Sequence, residues 1–233
     1  LDVGGESTRP GAQPVSVDEE LRRVIPLIRG LVAAVDVPIS IDTSKAAVAA
    51  AALAAGASLV NDVWGLRLDP PIAQVAAQHG APVILMHNRS QRQHVSIDPA
   101  LGGRYVGAAY SELLGDIAAE LHISIDLARG AGIPDAHIIL DPGIGFGKTV
   151  AQNLELLDRL GELRSLGFPL LVGSSRKSFI GYTLDLPPEQ RIEGTAATVA
   201  IAIARGADLV RVHDVQAMAR VARMADAIVR RAP

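Results

Sequence analysis

Short apolar runs recur along the chain. Each is followed at once by a small polar or glycine-bearing cluster, and then by a longer stretch with helical periodicity. The runs predict strands at Leu1–Val3, Pro38–Ile41, Ser58–Val60, Val83–Leu85, His137–Leu140, Leu170–Val172 and Leu209–Val212. They are continuous rather than alternating and rich in Val, Ile and Leu, as strands covered on both faces of a parallel sheet should be. The intervening stretches predict helices at Val17–Val35, Lys45–Ala55, Pro71–His79, Val106–Gly130, Ala151–Leu166, Pro188–Arg205 and Val215–Arg231. Gly56, Gly80, Gly132, Gly167 and Gly206 sit where helices should stop, and Ser16, Asp69 and Asp214 where they should start. The polar, irregular stretch His87–Tyr105 reads as a mobile loop over a site.

This alternation predicts an α/β protein with seven β/α units. A TIM (β/α)8 barrel has eight. Because Leu1 lies inside an apolar run, the expectation is a single barrel domain over residues 1–233 that lacks its first unit. An open seven-stranded sheet, or a chain that is short by nature, is the alternative.

Composition narrows the function classes. Hydrophobic residues make up 49% and charged residues 20%, enough for a sizeable core. A net charge of -3 gives no broad basic field for nucleic acid or anionic membrane. No run approaches the roughly 18 apolar residues of a membrane span. There are no cysteines, so disulfides and thiolate metal sites are excluded, and a reducing cytoplasm is the default. His79, His94, His122 and His137 show no metal-ligand spacing.

The chemistry lies at the carboxyl ends of the predicted strands, where parallel α/β proteins house their sites. Asp42, Asn61 and Asp141 can read a flat heterocycle, since a carboxylate accepts two parallel hydrogen bonds from an amino group and an adjacent ring N–H. Lys177 can donate to a ring carbonyl. Arg211 can stack on an aromatic face and pair with phosphate. His213, Ser7, Thr8 and Arg9 can bind anionic oxygens, and Met86 and Phe146 supply apolar walls. Bland readings stand beside these. Asp62 and Asp214 can be helix caps, Asp141-Pro142-Gly143 can be only a turn, and Lys148 can be solvated. Gly143–Gly147 lacks the spacing of a Walker loop. The set predicts a site for a planar, amide-like heterocycle carrying an anionic leaving group.

The segments LDVGGESTRPGA (1–12), IDTSK (41–45), Asn61-Asp62-Val63, Leu85-Met86-His87, DPGIGFGK (141–148), SRKSFIG (175–181) and RVHDV (211–215) resemble, in order, the dihydropteroate synthase family. The resemblance implies a (β/α)8 barrel that joins a dihydropterin methyl diphosphate to p-aminobenzoate and releases pyrophosphate. It implies pterin contacts from Asp42, Asn61, Asp141 and Lys177, lined by Met86, Phe146 and Gly173, with Arg211 stacked on the ring. Diphosphate would meet Asn61, Arg211, His213 and Thr8. p-Aminobenzoate would meet Thr8, Arg9, Pro10 and Ser178. Lys177, Arg211, His213 and Asp141 would carry catalysis. The resemblance further implies Mg2+, sulfonamide inhibition and a cytoplasmic homodimer. The family's first strand, reading roughly NVTPDSFSDGG, has no counterpart here, and with it goes the expected Mg2+ contact, so none is assigned in this chain. That departure predicts weak turnover or none. A pterin-binding methyltransferase domain or an inactive pterin-binding paralogue is the alternative.

Overall fold

The computed structural model describes residues 1–91 and 94–230. By contacts the chain divides into two compact units. One comprises Leu1–Thr8, Ala12–His87 and Ala119–Leu140; the other comprises Arg9–Gly11, Asn88–Ala118 and Asp141–Pro233.

The first unit is built on parallel strands. β1 (Asp2–Gly4), β2 (Ser40–Asp42), β3 (Leu59–Asp62) and β4 (Val83–Met86) lie side by side in chain order, and Ile138–Asp141 adds the next strand. The register sets Gly4 opposite Asp42, and Asp42 opposite Asn61. Helices α1 (Val17–Ala34), α2 (Ala46–Ala54) and α3 (Pro71–Gln78) form the crossovers. Ile28, Ile41, Val48, Val60, Ile72 and Leu85 are almost or wholly sealed from solvent. The Ala-rich α2 lets its neighbours come close. At the Gly56 stop a Cβ would lie 2.7 Å from Val32 Cγ2, and φ is +108°. The α1 start is capped by Ser16, whose Oγ accepts from Glu19 N at 3.2 Å.

The second unit holds an antiparallel hairpin, β5 (Val95–Asp98) with β6 (Gly102–Tyr105). The chain then runs through α4 (Leu113–Gly130), whose residues from Ala119 on belong to the first unit, and β7, the strand Ile138–Asp141 already placed in the sheet, of which only Asp141 belongs to the second. Further along come α5 (Val150–Asp158), β8 (Leu171–Val172), α6 (Ser178–Leu184), α7 (Ile192–Ala204), β9 (Leu209–Val210) and α8 (Val215–Val229). β8 and β9 pair in parallel. α7 and α8 share a core of Val199, Ile203, Met218 and Ala225.

Seven β/α units therefore succeed one another among the described residues, as the periodicity predicts. All five glycine stops have left-handed φ. Several expectations need correction. The stretch read as a mobile loop contains the β5–β6 hairpin. The helix expected from Val106 starts at Leu113, because Glu112 caps it, accepting from Leu114 N at 3.3 Å and from Gly115 N. The helix expected over Ala151–Leu166 gives way after Arg159 to a tighter 3-10 segment, Leu160–Leu166. The helix expected from Pro188 becomes regular only at Ile192. Asp69 does not cap α3; its carboxylate instead accepts from Ala46 N, the first residue of α2, at 2.7 Å. The expected end of the last helix, Arg231, lies outside the described residues.

Candidate active site

The first unit places its polar groups at the ends of neighbouring strands. Asp42 closes β2, Asn61 lies in β3 and Met86 closes β4. Asn61 and Met86 are buried. Asn61 Nδ2 donates to Asp2 Oδ2 at 3.1 Å, and Ser40 Oγ donates to the other oxygen of Asp2. Sequence reasoning missed Asp2; the available signal was one acidic residue inside an apolar strand. Gly4 leaves room for Asp42, since a Cβ there would come within 3.3 Å of the Asp42 Cβ.

A charge cluster moors the segment that leads to Thr8. Lys45 Nζ meets Glu6 at 2.6 Å, the Val15 carbonyl at 2.7 Å and Glu20 at 2.5 Å. Glu6 also accepts from Val15 N, and Glu20 from Thr43 Oγ1 at 2.7 Å. Burial works to depress the Lys45 ammonium, but the bonds to Glu20 and Glu6 outweigh it and raise its pKa. Asp62, weighed above as a helix cap, is fully buried and shapes a turn. It accepts from Ser44 Oγ, Trp64 N and Leu66 N, while burial raises its pKa against those bonds.

In the second unit Asp141 ends β7, nearly sealed from water, and accepts from Gly143 N at 2.7 Å. Burial raises its pKa; the charges of Lys177, Lys148 and Arg211 pull the other way. The following loop turns through Gly143, Gly145 and Gly147, all at positive φ. Lys148 is not solvated as one reading allowed. It is 3% exposed, and its ammonium donates to the carbonyls of Gly143 at 2.9 Å and Phe146 at 3.3 Å. Asn153, from the first turns of α5, accepts from Gly145 N at 2.6 Å and donates to Thr149 O at 2.8 Å. Thr149 and Gln152 complete a capping box.

Lys177 reaches this loop from the turn after β8. Its Nζ donates to the Ile144 carbonyl and lies 4.6 Å from the centre of the Phe146 ring. Phe146 stacks against Tyr105 of the hairpin at 6.1 Å. Arg176, just before Lys177, has φ +56° and pairs with Asp214 side-on, Nε donating at 2.9 Å and Nη2 at 2.5 Å. Asp214 thus stands at the N-cap position of α8 but spends its carboxylate on Arg176 rather than on the helix. Ser178 opens α6, a helix the sequence reading did not assign. His213 Nδ1 lies 2.9 Å from Ser175 Oγ. Burial, then Arg176, Arg211 and Arg9, lower the His213 pKa. Gly173 faces Arg211: a Cβ there would sit 3.8 Å from the Arg211 Cβ. Arg9 and Pro10 belong to this unit too, with Pro10 packed against Gly103.

The second unit therefore gathers Asp141, Phe146, Lys177 and Arg211 in one neighbourhood, with Ser178 and His213 on the adjoining turns. A buried carboxylate ringed by cations, with an aromatic wall, suits a flat heterocycle that both donates and accepts.

Residues 1–213 match the family model described as pterin binding enzyme. The dihydropteroate synthase of Bacillus subtilis (strain 168) is 50% identical, covering 98% of this chain and 74% of its own length. A crystal structure of dihydropteroate synthase from Clostridium difficile, determined in the presence of pteroic acid, is 48% identical with a TM-score of 0.90; 98% of this chain and 81% of that one are covered. The Yersinia pestis dihydropteroate synthase in a sulfonamide drug complex is 43% identical with a TM-score of 0.90, covering 99% and 80%. The shared fold is α/β, of the TIM-barrel type, as the strand and helix alternation predicts. The chain belongs to the pterin-binding enzyme family, and within it to the dihydropteroate synthases of folate biosynthesis.

Proposed function

We propose that the strand-end residues divide the condensation of 6-hydroxymethyl-7,8-dihydropterin diphosphate with p-aminobenzoate as follows. Asp42, Asn61, Asp141 and Lys177 hold the pterin, with Met86, Phe146 and Gly173 as walls. Arg211 stacks on the ring. Asn61, Arg211, His213 and Thr8 take the diphosphate. Thr8, Arg9, Pro10 and Ser178 take p-aminobenzoate. The observation that carries the reading is Asp141, a carboxylate buried at the end of β7, tied to Gly143 N and acted on by the charges of Lys177, Lys148 and Arg211.

The chemistry follows from where charge develops. The C–O bond to diphosphate breaks first; negative charge grows on the leaving oxygens and positive charge on the pterin. Arg211 and His213 stabilise the former, Asp141 and Asp42 the latter. The arylamine then attacks the methylene carbon and loses a proton. Mg2+ is proposed to arrive with the diphosphate. Among the described residues no three His, Asp or Glu side chains gather as a ligand set, and this ion is commonly held by few protein groups plus substrate phosphates. Bound there, it would neutralise leaving-group charge.

The reading extends to sulfonamides as aryl mimics of p-aminobenzoate, in keeping with the Yersinia pestis complex. It also includes a cytoplasmic homodimer. Exposed Ile201, Val215, Met224 and Ile228 on α7 and α8 offer an apolar surface for it. No described helix is long and apolar enough to cross a membrane.

Pyrophosphate release with dihydropterin diphosphate, p-aminobenzoate and Mg2+ tests the assignment. Whatever release the chain gives should require p-aminobenzoate, and Asp141→Asn should weaken 6-hydroxymethylpterin binding by about 100-fold in calorimetry, the cost of leaving ring donors without a charged acceptor. Release independent of p-aminobenzoate, or undiminished pterin binding in Asp141→Asn, would defeat it.

A further inference from the structure

Arg191 is a buried cation that none of the roles above uses. It stands just before α7 and is 2% exposed. Its guanidinium is spread over three main-chain carbonyls: Nε to Leu186 at 3.0 Å, Nη1 to Arg176 at 2.9 Å and Nη2 to Leu101 at 2.8 Å. Gly181 makes the space. A Cβ there would sit 2.1 Å from Arg191 Nη2. Burying a full charge on neutral acceptors is costly, and simpler residues could fill the volume.

The three carbonyls explain the expense. Arg176 has left-handed backbone, and its carbonyl precedes Lys177 and Ser178. Anchoring that carbonyl sets the direction in which Lys177 and Ser178 leave the turn. Leu101 lies in the hairpin turn. Two residues on, Gly103 packs so closely on Pro10 that a Cβ would meet the Pro10 Cβ at 3.1 Å and its carbonyl oxygen at 3.2 Å. Tyr182 of α6 ties the same hairpin, donating to Gly102 O at 3.4 Å and stacking under Arg104 at 4.2 Å. One guanidinium thus clasps the turn that presents Ser178 and the hairpin that backs Pro10.

We propose that Arg191 is a positioning residue for the p-aminobenzoate half of the site, acting through the Arg176 and Leu101 carbonyls. The proposal rests on the assignment of Pro10 and Ser178 to that substrate. It predicts a selective effect. Pteroic acid carries both pterin and p-aminobenzoate moieties, whereas 6-hydroxymethylpterin carries the pterin alone, so the ratio of their affinities isolates the aryl half.

Calorimetry with both ligands should show Arg191→Met binding 6-hydroxymethylpterin within about twofold of wild type, while pteroic acid weakens by about tenfold or more. Arg191→Lys, which keeps the charge and part of the donor set, should recover part of that loss. Ile203→Ala, a cavity in the α7–α8 core, should lower thermal stability and leave the ratio unchanged. Equal weakening of both ligands, no weakening, or the same ratio change in Ile203→Ala overturns the proposal. Should Arg191→Met fail to fold, Arg191→Lys decides by the same ratio. A wild-type chain that binds neither ligand overturns the functional reading, and this proposal with it.

Discussion

Two polar turns of the second unit solve one problem in opposite ways. Both must hold a backbone in conformations that side-chain-bearing residues avoid. The Asp141–Lys148 loop does it with glycine at each left-handed position, and is pinned from inside by Lys148 and from α5 by Asn153. The Gly173–Ser178 turn places an arginine at φ +56°, a conformation that costs a non-glycine residue about 1–2 kcal/mol. It is held from outside, by Arg191, Thr195 and Asp214. The difference shows what each turn is for. The first needs shape, and glycine provides shape cheaply. The second needs the side chains of Arg176, Lys177 and Ser178 in series, so the strain is accepted and offset by neighbours.

The contrast is sharpest at Gly147. A Cβ there would lie 2.5 Å from the Arg89 carbonyl carbon, with φ at +68°. Backbone cannot yield as a side chain does, so Gly147→Ala should destabilise by about 3 kcal/mol, read from denaturant unfolding. Gly145→Ala is the comparison within the same loop. Its nearest neighbour is the flexible Lys177 Cδ at 3.0 Å, so the cost should be nearer 1 kcal/mol. If both variants lose the same stability, close backbone approach is not what singles out Gly147.

Next in size is the pin. Asn153→Ala orphans Gly145 N and should cost about 1–2 kcal/mol. Its melting temperature should fall, and pterin affinity with it, because the loop carries Phe146. Unchanged affinity at reduced stability would mean that the glycines alone set the loop.

The smallest effect belongs to the turn beside Ser175. His213 has its pKa lowered below the ordinary 6.5 by burial and by Arg176 and Arg211, so it is neutral in the free protein near pH 7. The folded state then binds fewer protons than the unfolded one, and this contribution to stability falls as pH drops below about 6.5. A bound diphosphate favours the imidazolium and reverses the shift. Pyrophosphate affinity should therefore rise as pH falls through the His213 titration, by less than about tenfold. Subtracting the profile of His213→Gln removes the titration of pyrophosphate itself. A difference profile that is flat with pH would remove His213 from the diphosphate.

The sequence conveys the strands well because doubly covered strands need uninterrupted apolar runs. It conveys the helix stops well because only glycine takes those φ values without cost. Asp42, Asn61, Asp141 and Lys177 stand out as polar residues at the ends of such runs. What stays hidden depends on contacts distant in sequence. The β5–β6 hairpin is short and polar and is secured by Arg191, 90 residues from Leu101. Asp69 looks like a cap for the helix after it, yet serves Ala46, 23 residues earlier. The burial of Lys148 is equally silent, since a lysine after glycines in a turn ordinarily meets water.

Lysine itself is rare here. The chain has three, Lys45, Lys148 and Lys177, and its remaining cations are arginine. Lys45 is held by two carboxylates, and Lys148 is enclosed by its own loop. Along residues 1–233 amine-directed reagents, which on most proteins scatter over the surface, find lysines only where they are woven into strand-end turns. A labelling pattern that on another protein would report general accessibility reports, over this stretch, the state of those turns.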